Sequence, residues 1–378
     1  MNCNPNASQK SFRHVLSAAI FVVVLGVGVR FALTSFGHNF DFESYTIVAT
    51  VTAQGGNVYH ETDRYNYGPA WFNVLHGLQV LADRTGNPHN FRYFIVGLLT
   101  LVDLAIAWLI ARRFSLLLGA VFFLNPISMF ITGYHNQFDN FALLIGLIGV
   151  LWYEKHAAKE HLRAFIIFTC LLGLSLILKH VLLFFPIWIA LRERGALRRF
   201  LALAVPYGLF LLSFLPYVKG GAAGIQQNVF LYASAANAPL LNAFTFGHRV
   251  SNDVGVAIFI VALVGVGVLA RRLPLPYAFA LYGAALVAFS SSIVIQYFAI
   301  PMLFLILFPS IWSVSAITIA TAVLLTHFDG LYLAGRLHSS NLALVARNGV
   351  YAYAVCLALA LATAIWKGTK RDSTSRQT

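Results

Sequence analysis

The chain has 378 residues, of which 59% are hydrophobic and only 10% charged, with a mean hydropathy of +0.75. Soluble domains carry about 25% charged residues, so soluble, disordered and fibrous classes are excluded and the surplus apolar surface must face lipid. The net charge of +13 comes from short basic clusters between apolar runs. They lack the aromatic interleaving that stacks on bases, which sets nucleic acid aside as a partner.

In chain order, Lys10 and Arg13 precede an apolar run over 15–36. It is longer than a signal-peptide core and shows no small-residue cleavage site, so it reads as a retained first span. Further apolar runs occupy 92–111, 115–133, 138–153, 164–178, 181–191, 199–217, 254–270, 276–293, 297–311, 313–326 and 346–366. With about 20 helical residues needed per crossing, the expectation is an all-α integral membrane protein, a polytopic bundle of about 11–12 spans. The run 181–191 is too short to cross alone, and 164–191 is predicted to form a broken hairpin that enters the membrane and returns. Irregular backbone at that depth must be packed in protein or line a cavity. The sequence thus reads as one membrane domain over 15–366 between short tails, 1–14 and 367–378. Cys3, Cys170 and Cys356 form neither a disulfide framework nor a zinc spacing.

The basic clusters set the orientation. Lys10/Arg13, Arg112/Arg113, Lys155/Lys159/Arg163, Arg192/Arg194/Arg198/Arg199, Arg271/Arg272 and Lys367/Lys370/Arg371 all fall on one side when the N-terminus is cytoplasmic, as the positive-inside rule requires. Asp41, Glu43, Glu61, Asp63, Asp83, Asp139, Asp253 and Asp329 then gather at the outer face. The cytoplasmic connections are short and hold no Walker or Rossmann glycine loop, which leaves no nucleotide site. Two outer segments are long, 37–91 and 218–253, and loops of that length in a compact protein are usually functional.

Two interfacial helices are predicted within 37–91. One follows Asp41; the other opens at Gly68-Pro69 and carries Trp71, Val74, Leu75, Leu78 and Leu81 at helical spacing. Proline suits a first helical position, and amphipathic helices beside charged loops lie in the membrane interface. Asp41 sits at the mouth of the first span, where two roles are open and can coexist: a helix N-cap, or a general base for a water-soluble acceptor. Glu43 falls elsewhere on the same helix, as a supporting or solvated group. The stretch 59–69, with Asp63, Arg64, Tyr65 and Tyr67, has the mixture of aromatic and charged groups that sugar sites use. An interfacial aromatic belt with a surface ion pair is the alternative.

Ionisable residues inside spans are expensive and mark function by default. Arg30 lies near the outer end of the first span, Asp103 in the second, and Lys179 and His180 at the hairpin tip. There a cation would reach an anionic head group; alternatively, Lys179 pairs with Asp103 or Asp139. The turn 133–140 carries His135, Gln137 and Asp139, and two candidate ligands without a third are too few for a metal site. In the second long loop, His248 and Arg249 precede the eighth span. Arg249 either grips a phosphate with its bidentate fork or anchors the interface.

These features together resemble the GT-C superfamily of membrane glycosyltransferases. The likeness rests on the acid after the first span (Phe40-Asp41-Phe42-Glu43), the two interfacial helices and the many spans with short inner loops. Asn125-Pro126 followed by Gly133-Tyr134-His135-Asn136-Gln137-Phe138-Asp139 is similar to a segment of bacterial polyprenyl-phosphate-sugar transferases and, more distantly, of dolichyl-phosphate-glucose-dependent glucosyltransferases. Leu178-Lys179-His180 with Pro186 looks like their broken hairpin. The resemblance covers roughly residues 10–200, and beyond them Gly247-His248-Arg249.

The resemblance implies an inverting hexosyltransferase with a polyprenyl-phosphate hexose donor and a glycan or glycolipid acceptor. Asp41 would act as base, and Lys179, His180, His248 and Arg249 would meet the donor phosphate. Glu43, Asp63, Arg64, Tyr65, Tyr67, His135, Gln137 and Asp139 would line the sugar and acceptor side. Asp41 and Glu43 are not adjacent, unlike the paired acids of metal-using members, so no divalent metal or other cofactor is implied. The expected setting is a bacterial inner membrane, with the site on the outer face and both termini in the cytoplasm. Two other readings stay open. One is a lipid-linked-sugar transporter or flippase with Lys179, Asp103 and Arg30 along its path; the other is a surface-polysaccharide ligase or polymerase using a pyrophosphate-linked glycan.

Overall fold

The computed structural model describes residues 5–232, 238–244, 251–326 and 339–374, and every regular element among them is helical. Six segments are long and apolar enough to cross a membrane: His14–Phe36, Asn90–Arg113, His161–Leu178, Ala196–Phe230, Asp253–Ala270 and Ala346–Lys367. Leu116–Phe123 and Pro126–Gly133, bent by 46° at their break, add a seventh if they form one span. The chain is an all-α multi-pass membrane protein. Among the described residues six or seven segments have the length of a full crossing, against the 11–12 spans expected, and several of the other apolar runs form shorter helices. Leu275–Ala288, Ile295–Leu307 and Ile311–Thr326 fall within 10–17 residues, against about 20 for a crossing. Apolar composition marks a buried helix as readily as a spanning one, and Leu281, Tyr282 and Phe304 are fully buried.

The elements that build the site are, in order, α1 (Pro5–Leu33), α2 (Phe40–Ala53), α3 (Val58–Glu61), α4 (Pro69–Arg84), α5 (Asn90–Arg113), α6 (Leu116–Phe123), α7 (Pro126–Gly133), α8 (Asp139–His156), α9 (His161–Leu178), α10 (Phe185–Arg192) and α11 (Ala196–Leu212). They are followed by α12 (Val218–Gly224), α13 (Pro239–Phe244), α14 (Asn252–Ala270) and α15 (Leu275–Ala288). The two helices expected after the first span are α2 and α4, joined through the single turn of α3. Gly68 caps α4 and Pro69 opens it. The buried face of α4 is Trp71, Phe72, Leu75 and Ala82, packed on α2 and α5, whereas the expected Leu81 is 46% exposed.

The broken hairpin forms as the sequence suggests. α9 stops at Leu178, residues 180–182 make a 3-10 turn, and Pro186 helps restart the chain as α10. Glu193 Oε2, just after α10, accepts from Arg198 Nη1 at 3.3 Å, and that nitrogen lies 3.2 Å from Nε2 of His161 at the start of α9. The chain has therefore gone in and come back. Backbone groups freed at the tip find phenol partners. Tyr282 donates to the Val181 carbonyl (2.9 Å) and accepts from Phe184 N–H (3.2 Å), while Tyr207 donates to the Leu183 carbonyl (2.7 Å). Irregular backbone in a membrane protein persists only when satisfied in this way.

The hairpin tip seats directly on the loop before α4. A Cβ at Gly68 would land on the carbonyl of Ile177, a backbone atom that cannot swing aside. Gly68→Ala is expected to destabilise the fold by the ~1–3 kcal/mol typical of overpacking. Thermal unfolding in detergent measures this, and an unchanged midpoint would show that the tip and loop are not tightly docked.

Deeper in the bundle, Arg30 of α1 is fully buried and donates to Asp103 Oδ2 of α5 through Nε (3.2 Å) and Nη2 (3.0 Å). Ser128 and Thr132 of α7 donate to the same oxygen at 3.0 and 2.6 Å, and Asn140 of α8 donates to Oδ1 at 2.7 Å. Four helices are thereby tied through one carboxylate.

Candidate active site

Three helix ends meet above this network. Asn39 caps α2, its Oδ1 accepting from Asp41 N–H at 3.1 Å. The N-cap offered to Asp41 by the sequence thus belongs to Asn39, and Asp41 is the second residue of α2, in its first turn. Asp139 is the first residue of α8, and Lys179 is the C-cap of α9. Carboxylates at helix N-termini and a cation at a C-terminus are each favoured by the helix dipole. The backbone alone thus supports this charge pattern.

The side chains form one continuous chain of contacts. Asp41 Oδ2 accepts from Asn39 Nδ2 (2.7 Å) and Gln137 Nε2 (2.6 Å). Lys179 Nζ donates to Gln137 Oε1 (3.1 Å) and to Asp139 Oδ2 (2.8 Å). Lys179 also stands 4.9 Å from the Tyr67 ring centroid and 4.5 Å from that of Phe138, within cation–π range. Behind Asn39, Nδ1 of His135 lies 3.0 Å from Nδ2. Phe138 stacks on Trp71 at 4.1 Å and meets Tyr67 edge-on at 4.8 Å, giving the polar chain an aromatic bed.

Burial pushes the Asp41 carboxyl above the ordinary range. Lys179 and the amides of Asn39 and Gln137 pull against that, and the Asp139 carboxylate adds to it. The carboxyl remains a group that gives and takes a proton closer to neutrality than a solvated aspartate does.

The carboxylate borders a cavity of about 520 Å³. One wall is polar, with Asp41, Asp63, Arg64, Asn66, Lys179 and His180 among its residues. Val256 and Phe259 of α14, Leu286 of α15, Ser290 to Ser292, Gln296 and Tyr297 also line the cavity. Val256, on the candidate membrane-crossing helix α14, is 37% exposed. No protein-family model matches the chain, and no curated protein is detectably similar to it in sequence.

The sequence-selected residues divide into three groups. Asp41, Asp63, Arg64, Tyr67, Asp139, Lys179 and His180 share the cavity. Glu43, Tyr65, His135 and Gln137, expected on the sugar and acceptor side, do not line it. Glu43 is turned outward, with Oε2 3.8 Å from Arg64 Nη2. Tyr65 is buried, donating to the Gly68 carbonyl (2.5 Å) and accepting from Phe72 N–H (3.2 Å), so its hydroxyl is spent on the loop. His135 and Gln137 are buried behind the wall and act on Asn39 and Asp41. His248 and Arg249 lie outside the described residues.

Lys179 answers the question that the sequence left open: its partner is Asp139, because Asp103 is taken by Arg30. His135 and Asp139 do not converge on a metal site, and among the described residues no group of three His, Cys, Asp or Glu side chains does. Sequence reasoning missed Asn39 and the Ser290 to Ser292 lining of the cavity. The signals were present: asparagine caps helices as well as aspartate does, and three serines followed by Gln296 interrupt an apolar run.

Proposed function

We propose that the protein is an inverting glycosyltransferase of the GT-C type, moving a hexose from a polyprenyl-phosphate donor to a hydroxyl of a glycan or glycolipid. It would work at the outer face of a bacterial inner membrane, with both termini in the cytoplasm. The observation that carries this reading is the position of Asp41. Its carboxylate, held by two amides and raised by burial, borders a cavity lined by charged side chains and by apolar side chains of α14 and α15. Asp41 takes the proton from the acceptor hydroxyl as its oxygen bonds to the anomeric carbon. The bond from that carbon to the phosphate oxygen breaks, and the lipid phosphate leaves with the electron pair. The apolar side chains of α14 and α15 suit the first isoprene units of the donor.

A departing phosphate needs a fixed cation. Lys179 is already matched by Asp139 at 2.8 Å, whereas Arg64 has a looser carboxylate partner, Glu43 Oε2 at 3.8 Å from Nη2. Arg64 Nε donates to Ser44 Oγ (3.1 Å), its guanidinium lies 3.5 Å from the Phe40 ring centroid, and Nη2 makes no hydrogen bond among the described residues. Arg64 is thus the first candidate for the phosphate, with His180 beside it on the wall. A hydrogen bond to a charged group is worth about 1.5–3 kcal/mol, the lower end applying to a part-exposed arginine, so Arg64→Gln is expected to raise the donor KM about tenfold. Steady-state kinetics over a donor series reads this; an unchanged KM would move the phosphate site away from Arg64.

The buried Arg30–Asp103 pair, satisfied on every side, gives no sign of the alternate partners that a transport path needs. The ligase or polymerase reading is tested by donor type. Purified protein given short-chain polyprenyl-phosphate hexoses and, separately, pyrophosphate-linked glycans should release lipid phosphate from the former only. Release from the pyrophosphate donor alone would reverse the assignment.

A further inference from the structure

We infer that Gln137 is a positioning residue for Asp41, and that the buried Lys179–Asp139 pair fixes which way round its amide sits. The effect on rate rests on the function proposed above; the positioning itself does not.

An amide fits its site in two orientations of nearly equal shape, and only its partners choose between them. An ammonium group only donates and a carboxylate only accepts. Lys179 Nζ, 3.1 Å from Gln137, must therefore face Oε1, which leaves Nε2 directed at Asp41 Oδ2, 2.6 Å away. Lys179 has little freedom to turn, because it is 4% exposed, is bonded to Asp139 at 2.8 Å and is flanked by the Tyr67 and Phe138 rings. Asn39 holds the same oxygen of Asp41 from the other side at 2.7 Å. Both donors thus fall on Oδ2, while Oδ1 accepts no hydrogen bond from a described residue and is left to whatever occupies the cavity.

This arrangement explains an ion pair that stability alone does not. Removing two charges from water costs about as much as their attraction returns, so a buried pair is weak evidence of stabilisation. Here the pair has a directional use: without Lys179 the amide is free to turn its oxygen toward Asp41, which would replace a donor with a repelling dipole. Gln137 is the one contact between the pair and the carboxylate that can be reversed.

Among the described residues, the charged and titratable groups around Asp41 are Lys179 and His180 at the hairpin tip, Asp139 of α8, Tyr45 of α2, Asp63, Arg64 and Tyr67 of the loop, Tyr232 and Tyr297, with His135 behind Asn39. A substitution at Gln137 leaves all of them in place. The test is carbodiimide-driven coupling of a small amine to Asp41 in the full-length protein, followed by peptide mass spectrometry across a pH series. The protonated carboxyl adds to the carbodiimide, the amine displaces the urea, and the labelling midpoint tracks the carboxyl's proton affinity.

Gln137→Leu and Gln137→Glu each remove an N–H that favours the carboxylate, so both are expected to move the midpoint to higher pH. Lys179→Met also removes a cation that itself lowers the Asp41 carboxyl, so it is expected to move the midpoint further in the wild type than in a Gln137→Leu background, the excess being the turned amide. If the leucine variant does not fold, Gln137→Met, which removes the N–H without placing a second carboxylate beside Asp41, decides the matter. Wild-type midpoints in folded Gln137 variants would overturn the inference. The labelling reads Asp41 whether or not a sugar is transferred, so a protein inactive on every donor that still shows the shift would refute the proposed reaction and leave the positioning intact. In an active protein, Gln137→Leu is expected to lower kcat roughly 10²-fold, as small misplacements of a catalytic group do, with little change in acceptor KM.

Discussion

Asp41→Asn is expected to reduce sugar transfer by about 10²–10⁴-fold, the usual contribution of a positioned proton acceptor, while leaving the protein at least as stable as the wild type. The two halves of that expectation have one cause. Burial, the largest influence, raises the Asp41 carboxyl above its ordinary value. A carboxyl whose folded pKa exceeds its unfolded one holds its proton more readily in the fold, so it supports stability at low pH and loses that support as pH rises through the folded value. At neutral pH the ionised side chain is a cost to the fold that a neutral asparagine avoids. Asparagine also keeps an oxygen to accept from Asn39 and Gln137. Thermal unfolding at neutral pH should therefore give a midpoint no lower than wild type, alongside a collapse of kcat. The base must be ionised to act, so wild-type activity should fall on an acidic limb centred above the ordinary aspartate range. Near wild-type transfer by Asp41→Asn would remove Asp41 from the chemistry, and an unfolded variant would contradict the stability argument.

Breaking the pair beneath the site should have the largest effect on folding. Arg30→Met leaves Asp103 buried at 1% exposure, with three neutral donors and no cation. Removing one partner of a buried ion pair typically costs about 3–5 kcal/mol, whereas replacing both by apolar groups is often neutral. Arg30→Met is expected to fall in that range, and Arg30→Met with Asp103→Leu should recover much of the loss. Part of it will remain, because Ser128, Thr132 and Asn140 then lose their acceptor. A double-mutant cycle on thermal or denaturant unfolding separates the pair's coupling from these losses. A cost below 1 kcal/mol for the single change would mean that water reaches the pair.

Much of the site was legible because polar residues are scarce in so apolar a chain. Asp41, Gln137, Asp139, Lys179 and His180 stand out against their surroundings, and the structure brings them to one place. The hairpin was legible too, since an 18-residue helix followed by an 8-residue one opened by proline leaves a break between them. Pairing was not. Whether Lys179 meets Asp103 or Asp139 depends on how α5, α8 and α9 pack, and spacing along the chain carries no such information. The role of Tyr65 was hidden for a similar reason, as its neighbour Tyr67 has the same chemistry and only the fold decides which phenol is buried. Which runs form helices of full crossing length was not legible, because an apolar run such as 276–293 reads alike whether it crosses lipid or fills the core. Treating that run as one uninterrupted span also concealed Ser290 to Ser292, which line the cavity.

The proposed role of Asp41 is to deprotonate an acceptor as a hexose leaves a polyprenyl phosphate. Purified wild-type protein and Asp41→Asn, incubated with a panel of short-chain polyprenyl-phosphate hexoses and a glycan acceptor extract, should be compared for release of lipid phosphate. The expected result is release by the wild type with at least one hexose, with inversion at the anomeric carbon of the product, and almost none by the variant. Equal release by both proteins, or product of retained configuration, would contradict it.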